Sequence, residues 1–433
     1  MASSALSLQG PIGVQDNRNR IVNGDFNIWQ RGITVDIAST GGNEVGGGEP
    51  AATGCANSFV SDRWRVYAQA NTTNVGGMTS PTMIVSRRNF DLGLPSGADA
   101  SSKYYLNIYV GNTTDPSGGE GNKWHYAGFT AHGNPSNGRG ATDGGCFVAL
   151  VQDIEDVRTF ENKSCTLSFW AKSDITNQRV APVLKQMFAG GTAGGSGVLI
   201  AGSTGHLGHT LDNTWRRYET SFNVPSLEGQ PSLGSSGDNA LQLQMILHAN
   251  SGKAGTGVTF EIGGDLNAGK TGNISFSQVQ LEQGSKVTAF EQKSKAQEII
   301  ECQRYYEKSY ALDSKPGSSI SGNSSIDVDD DDDGRGYRTL MYVSTGSNNV
   351  VFHEHSFMVT KCKVPSVTYY APFVTDNENK VQHSAGDAGQ VVDVSNIEAA
   401  ETGLNRFESS SQITEKNIFY HFTAEAELSV TTT

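Results

Sequence analysis

Apolar and polar residues alternate with a period of two in short runs along most of the chain. The runs fall at 63–68, 82–86, 104–110, 146–151, 165–171, 215–224, 241–247, 258–262 and 274–281. Gln242 and Gln244 stand between Leu241, Leu243 and Met245, as in a strand with one face on a core and the other turned outward. Strands of this number and spacing predict a β-sandwich or jelly roll. Glycine-rich insertions at 41–48, 111–140 and 190–208 are too long for plain hairpins, and loops of that length carry function or lack order.

The pattern changes after Phe290. Residues 291–310 hold no Gly or Pro, and Ala296, Ile299 or Ile300, Gln303 and Tyr306 share one helical face. The segment predicts one helix of about four to five turns. Such a helix either bundles about an oligomer axis, with Ile299 and Tyr306 inward, or packs on its own sandwich. A Gly/Ser/Pro linker at 314–323 precedes further alternating runs at 337–343, 349–359, 366–370 and 418–424. The expected fold is all-β: a polar N-terminal anchoring arm (1–20), a jelly-roll β-sandwich (21–290), a connecting helix (291–310) and a smaller C-terminal β domain (311–433).

Composition narrows the function. The 51 glycines among 433 residues fit many tight turns. Net charge is −13, with no Lys/Arg-rich run, so nucleic acid, held by neutralised phosphates, is not expected as a partner. The five cysteines are far apart and never in CxxC spacing, which indicates neither a disulfide framework nor a zinc site. The first residues lack the basic start and apolar core of a secretion signal, and no run of 18 apolar residues occurs. Synthesis and assembly in a cytoplasm, without membrane insertion, are therefore expected.

Residues 264–271, GDLNAGKT, fit the phosphate-loop pattern GxxxxGK[ST]. A phosphate loop needs a helix starting at the Lys-Thr. Here Gly272 and Asn273 follow, then 274–281 alternates as a strand, so the segment reads as a hairpin loop. There is no GxSxG, no HExxH and no discernible Ser-His-Asp set. A glycosidase needs only two carboxylates, which an acidic chain readily supplies.

Sugar rings are gripped by flat aromatic faces flanked by amides and carboxylates. Trp64 and Trp215 begin strands and are expected to close the core. Trp170 alternates with Thr166 and Ser168, away from Leu167 and Phe169, and is expected on an open face. Trp124 and Tyr126 lie in an aromatic cluster, 122–129, inside a glycine-rich insertion. These three are the candidate carbohydrate contacts, with a subunit interface as the competing role for exposed rings.

Asp329, Asp331, Asp333 and Gly334 match the first half of a calcium loop, but Leu340 stands where the closing glutamate belongs. An EF-hand is excluded; a looser calcium loop and a solvated acidic loop remain. His353 and His355 fall on the same side of one strand. Two imidazoles are too few for a metal, but on a threefold axis they become six, which suits axial iron or nickel.

Three segments resemble phage tail and virion proteins that carry a carbohydrate-binding-module-like jelly roll. They are RIVNGDFNIWQRG at 20–32, LSFWAK at 167–172 with TWRRY at 214–218, and VQLEQGS at 279–285. CQRYYEK at 302–308 is similar to the element that joins that jelly roll to a C-terminal domain, and FYHFTAEAE at 419–427 to its final strand. The resemblance implies a virion location, a homotrimer, contact with other virion proteins through the arm, and binding of host surface polysaccharide. It also places Asn23 and Asp25 where related jelly rolls hold a structural calcium, with Glu282 as the carboxylate from the last strand. A plain turn is the alternative there. The expected function is a fibre subunit that attaches to host glycan, set against a capsid-decorating or collar protein and a polysaccharide depolymerase.

Overall fold

The computed structural model describes residues 18–37, 54–70, 82–90, 102–111, 147–188, 198–204, 208–229, 239–249, 271–317, 338–341, 349–372, 377–383, 390–411 and 417–428, with 94, 97–99, 262–263, 374 and 413 between them. The fold is all-β with a single helix among these residues. Two antiparallel sheets form a sandwich. In the first, β1 (Thr34–Asp36), β4 (Thr82–Asn89), β5 (Tyr104–Gly111), β14 (Gly272–Gln283), β7 (Lys163–Ser173) and β11 (Arg216–Val224) run in that order. In the second the order is β10 (His209–Thr210), β8 (Arg179–Met187), β12 (Ala240–Ala249), β6 (Phe147–Glu155), β3 (Trp64–Ala70) and β2 (Gly54–Ser61). β13 (Ile262–Gly263) and β9 (Val198–Ala201) pair with β12 and β8.

The alternation works as its period requires. Cys165, Leu167, Phe169 and Ala171 of β7 and Leu241, Leu243, Met245 and Leu247 of β12 point into one core with Trp29 and Trp64. β8 was not evident from the sequence because Pro182 interrupts it. The proline sits opposite the gap between β10, which pairs as far as Val180, and β9, which pairs from Val183, so that flank offers no partner at its position.

After Ser294, whose side chain accepts the Gln297 N–H at 3.2 Å, helix α1 spans Lys295–Gln303. This is shorter than the expected 291–310. The residues after it form β15 (Tyr306–Lys308), which pairs with the last strand, β22 (Asn417–Glu425). The buried face also differs: Glu298 and Cys302 are buried, whereas Ile300 is 54% exposed. The helix therefore turns a carboxyl and a thiol inward, with Ala296 exposed and Ile299 half-buried; Tyr306 is buried as expected, but on β15 rather than on the helix.

The third sheet runs β15, β22, β19 (Lys380–His383), β20 (Gln390–Ala400), β21 (Gly403–Ser409) and β17 (Val350–Ser356), with β16 (Arg338–Met341) and β18 (Ser366–Tyr370) also on β22. β22 changes partners along its length: β15 and β18 flank its end at Glu425, and β16 and β19 its start near Phe419. Val351, Tyr369, Phe407 and Phe422 fill this second core.

Sandwich and third sheet meet in a charged joint. Arg31 reaches Glu425 at 2.8 Å, Glu427 at 3.3 Å and Asp62 at 3.8 Å, and lies 3.7 Å over the Tyr306 ring. Arg63 pairs with Glu427 and the Asp153 carbonyl and lies over Tyr305. Burial opposes the charge on Arg31, but Glu425, Glu427 and Asp62 outweigh it and raise its pKa. Lys308 donates to the carbonyls of Gln30, Leu312 and Ser314. Residues 20–32 and 419–427 thus meet across this joint.

Candidate functional site

The outward residues of the first sheet follow from the same alternation. β7 presents Thr166, Ser168, Trp170 and Lys172; β5 presents Tyr105, Asn107 and Tyr109; β14 presents Ser275 and Ser277. Trp215, just ahead of β11, shares parity with Arg217 and falls on this face too. Ser277 lies opposite Trp170, and Trp170 opposite Arg217, while Ser275 lies opposite Lys172. The two small serines on the central strand are buried between the larger side chains of both flanks.

Tyr105 and Trp215 meet edge to face at 5.2 Å, and Phe90 packs on both, at 4.9 and 5.4 Å. The Lys172 ammonium sits 5.2 Å from the Trp215 ring and 5.7 Å from Tyr105, within reach of the rings' negative faces. Trp215 is presented by a tight turn. Asp212 accepts from the Thr214 N–H and hydroxyl and from Arg216. The Thr214 N–H, with Arg216, holds the Asp212 carboxyl below its usual range.

Trp170 is half-buried beneath a loop. A Cβ on Gly97, whose φ is +91°, would lie 3.9 Å from its ring. Gln278, in the β14 bulge, holds that loop through the Asp99 N–H at 3.0 Å, the Asp99 carbonyl at 2.8 Å and the Ser102 hydroxyl at 2.9 Å. Amides and hydroxyls floor the other end: Asn107 donates to Asn273 at 2.9 Å, and Ser275 donates to Asn107 at 2.8 Å. Arg217 donates to the Ser168 hydroxyl and the Thr288 carbonyl, both neutral. Among the described residues neither Lys172 nor Arg217 makes an ion pair.

The outer face of the second sheet differs. Ala149, Val151, Ala181, Val183 and Ile246 form a buried cluster there, and two of the adjoining polar groups meet on Asp153. Arg65 meets Asp153 at 2.9 Å, and Gln242 donates to Asp153 at 2.7 Å. A depression of about 360 Å³ on the C-terminal sheet is lined by Val364–Val367 and Ile397–Ala399. Its walls are mainly aliphatic, and its one charged group, Glu398, is engaged by Arg406 at 2.6 Å. Among the described residues, the face around Trp170 and Trp215 combines half-exposed rings with two cations that lack carboxylate partners.

No family model and no curated protein sequence matches the chain. Solved structures do. The N-terminal cellulose-binding domain of β-1,4-glucanase C from Cellulomonas fimi is 14% identical, covering 44% of this chain and 88% of that one, with a TM-score of 0.24. The family 11 carbohydrate-binding module of the cellulase Lic26A-Cel5E from Clostridium thermocellum is 13% identical over 52% and 90%, TM-score 0.22. A cyclase from Fischerella sp. is 11% identical over 59% and 98%, TM-score 0.25. Carbohydrate-binding modules are thus among the structural neighbours.

Of the sequence candidates, Trp170 lies on the face described. Trp124 and Tyr126 lie outside the described residues, as do Asp329, Asp331 and Asp333. Trp215 does not close the core; it stands on the outer face with Phe90 and Tyr105. Its parity with Arg217, opposite to that of Phe222 and Val224, was the available signal. Lys172, in the LSFWAK segment, was likewise legible from alternation with Phe169 and Ala171.

Asn23, Asp25 and Glu282 are each engaged by other groups of the protein. Asn23, at φ +55°, donates to the carbonyls of Ile28 and Asp62 and to Ser61, and accepts the Ile28 N–H. Gly24 leaves room for the β14 bulge: a Cβ there would sit 2.2 Å from the Val279 carbonyl oxygen. Asp25 pairs with Asn27 and with Glu298, whereas Glu282 accepts from Thr288 and faces Arg18 at 3.2 Å. The NGD segment is a lock between the first loop and the last strand. Among the described residues no group of three metal-ligating side chains assembles.

The His355 ring is not on an open sheet face. It packs edge-on at 4.8 Å from Phe422 of the core, and a bulge between Phe352 and His355 breaks the register with β21. The His353 side chain lies outside the described residues. At the N-terminus the anchored region begins earlier than expected. Arg18 donates to the Ala289 carbonyl, and the Arg20 N–H to that of Leu281, so residues 18–20 belong to the sandwich rather than to an arm. The phosphate-loop pattern is followed by a strand, β14 from Gly272, in place of the helix that nucleotide binding requires.

Proposed function

We propose that this chain is a glycan-binding protein and that saccharide lies along the open face of the first sheet. The observation that carries the reading is the pairing of half-exposed Trp170 and Trp215 with a bed of serines, asparagines and cations. Ring faces stack on the C–H faces of a pyranose, while half-exposed Asn273, Lys172 and Arg217 offer hydrogen bonds to its hydroxyls. Carbohydrate-binding modules among the structural neighbours agree with this reading without carrying it.

In this proposal the chain is a phage virion fibre subunit. Support comes from segments 20–32, 167–172, 214–218, 279–285 and 419–427, which resemble those of tail and virion proteins. Assembled in the host bacterial cytoplasm as a homotrimer, it is joined to other virion proteins through residues ahead of Arg18. Three weak sugar sites per fibre, and several fibres per particle, raise effective concentration and make attachment lasting. The chain binds polysaccharide in this role and does not cleave it.

The test is a glycan array probed with wild type, Trp170→Ala and Trp215→Ala. Wild type is expected to bind a polysaccharide, and both variants to lose at least about tenfold in affinity, the worth of a stacked ring. Equal binding by all three sinks the assignment of the face. Light scattering gives the oligomeric mass: three copies are expected, and a monomer removes the fibre and avidity while leaving the sugar site.

A further inference from the structure

Granting that the first-sheet face is a saccharide site, we infer that its ligand is an acidic polysaccharide bearing carboxylates, such as a polyuronate. The protein carries a net charge of −13, so a pair of cations without carboxylate partners is not what its composition offers by default. Lys172 and Arg217 form such a pair. On neighbouring strands, Lys172 stands two residues beyond Trp170, and Trp170 is the register partner of Arg217. The cations are therefore diagonal neighbours, roughly 7–8 Å apart at the backbone.

Their surroundings hold them ready. The Lys172 ammonium rests between Trp215 and Tyr105, contacts that orient it without neutralising it. Arg217 spends N–H groups on the neutral Ser168 and Thr288 oxygens and retains its full charge. Three arginines of the sandwich are matched, Arg65 by Asp153, Arg216 by Asp212 and Arg87 by Asp313; what sets Lys172 and Arg217 apart is their place beside Trp170 and Trp215.

The nearest carboxylates are engaged or stand at the margins: Glu282 of β14, opposite Thr166, is met by Arg18 at 3.2 Å and accepts from Thr288. Asp174 is engaged by the Asn273 side chain at 2.8 Å. Asp99 belongs to the loop held by Gln278. Glu219 is exposed on the edge strand, opposite Ser168. The half-exposed groups around Trp170 and Trp215 are thus positive and flanked by rings, over buried Ser275 and Ser277. A sugar stacked on Trp170 or Trp215 places ring substituents within reach of both cations. A carboxylate on the sugar gives each a charge-assisted hydrogen bond that a hydroxyl cannot match.

The experiment is affinity electrophoresis of the full chain through three polymers: a polyuronate, the same polymer with its carboxyls reduced to neutral alcohols, and inorganic polyphosphate. Wild type, Lys172→Gln, Arg217→Gln and Arg158→Gln are compared; Arg158 is an exposed cation in the turn after β6 and away from the face. The polyuronate is expected to bind best, the reduced polymer about tenfold or more weakly, and each face variant to lose about tenfold, the worth of a charged hydrogen bond. Arg158→Gln is expected to match wild type. Equal binding of the reduced polymer overturns the inference and leaves the sugar site standing; binding to neither saccharide overturns both. Polyphosphate bound as tightly as polyuronate, or an equal loss in Arg158→Gln, shows diffuse charge attraction and also overturns it.

Discussion

Two surfaces of one sandwich are built from arginine, lysine and aromatic rings, and they differ in whether the cations are satisfied. At the joint with the third sheet, Arg31 lies on Tyr306 and is met by Glu425, Glu427 and Asp62, and Arg63 lies on Tyr305 and is met by Glu427. On the first-sheet face, Lys172 lies against Trp215 and Tyr105, and Arg217 beside Trp170, with no carboxylate partner among the described residues. Taking an ion out of water costs several kcal/mol unless it is paired. The joint is buried because its charges cancel; the open face stays half-exposed because its charges do not. Residue type alone does not tell adhesive from structural surfaces, but the state of the charges does.

The largest effect is expected where that difference is broken at the joint. Glu427→Ala leaves Arg63, 3% exposed, as an unmatched buried charge and also deprives Arg31 of one partner. Loss of one side of such a pair costs about 3–5 kcal/mol. Urea unfolding is expected to show the loss, together with a separate early transition for the third sheet. A cost below about 1 kcal/mol, the range of an exposed pair, makes the joint no different from the surface.

The joint is also where sequence reading reached its limit. Arg31 and Glu425 are separated by 394 positions, and nothing local to either announces the other. Strands were legible wherever one face meets the core and the other does not: β5, β7, β11, β12 and β14 all declared themselves by alternation. β8 did not, because Pro182 masks it, and the connecting helix was drawn too long. Residues 304–308 have helix-compatible composition, yet pairing of Tyr306–Lys308 with β22 overrides that weak preference. The start of the helix was legible, since Ser294 and Gln297 form an S-x-x-Q cap. Half of the candidate face was legible too. Trp170 was found by parity, and Trp215 was missed because its place at a strand's start was read as a core position without its register against Arg217 and Phe222.

A second expected effect lies at the edge of the joint, where Glu298 of α1 hydrogen-bonds Asp25. Burial raises the Glu298 carboxyl to about 9, with the neighbouring Asp25 charge adding to it and Lys293 opposing it. Burial also raises Asp25, to about 6, with Glu298 and the Asn27 N–H opposing the rise. The folded protein therefore holds protons that the unfolded chain releases from the ordinary carboxylate range upward. The stability that this pair contributes is fully present below about pH 4 and falls as pH rises toward 9. Glu298→Gln keeps the hydrogen-bonding shape without the titration. Its melting temperature is expected to exceed that of wild type by a few degrees at pH 8 and to match it at pH 4, as read by thermal melts across the series. Parallel curves for the two proteins mean the pair does not control this pH dependence.

Removing a ring from the open face should separate binding from folding. Trp215→Ala gives up its contacts with Phe90, Tyr105 and Lys172, worth about 2 kcal/mol together, less than Glu427→Ala, while saccharide affinity falls about tenfold. The contrast sharpens if Glu427→Ala, measured under conditions where it is folded, keeps wild-type affinity. If Trp215→Ala costs as much stability as Glu427→Ala, the face is a structural cover and its cations belong to packing.

The smallest effect tests whether pairing or burial does the stabilising. Arg304 forks onto Glu155 at 2.8 and 2.6 Å, and Tyr305 donates to the same carboxylate at 2.9 Å. The Arg304 hydrogen bonds come first in holding the Glu155 carboxyl below its usual range. In geometry this pair equals those inside the joint, but both side chains are more than a third exposed, 38% and 39%. Water solvates each partner when the other is removed, so Arg304→Ala leaves no stranded charge. The expected loss is below about 1 kcal/mol, further reduced in high salt, against the several lost on stranding Arg63. Should Arg304→Ala cost as much as Glu427→Ala, geometry and not burial sets the energy, and unmatched cations on a half-exposed face would no longer mark a place kept for a ligand.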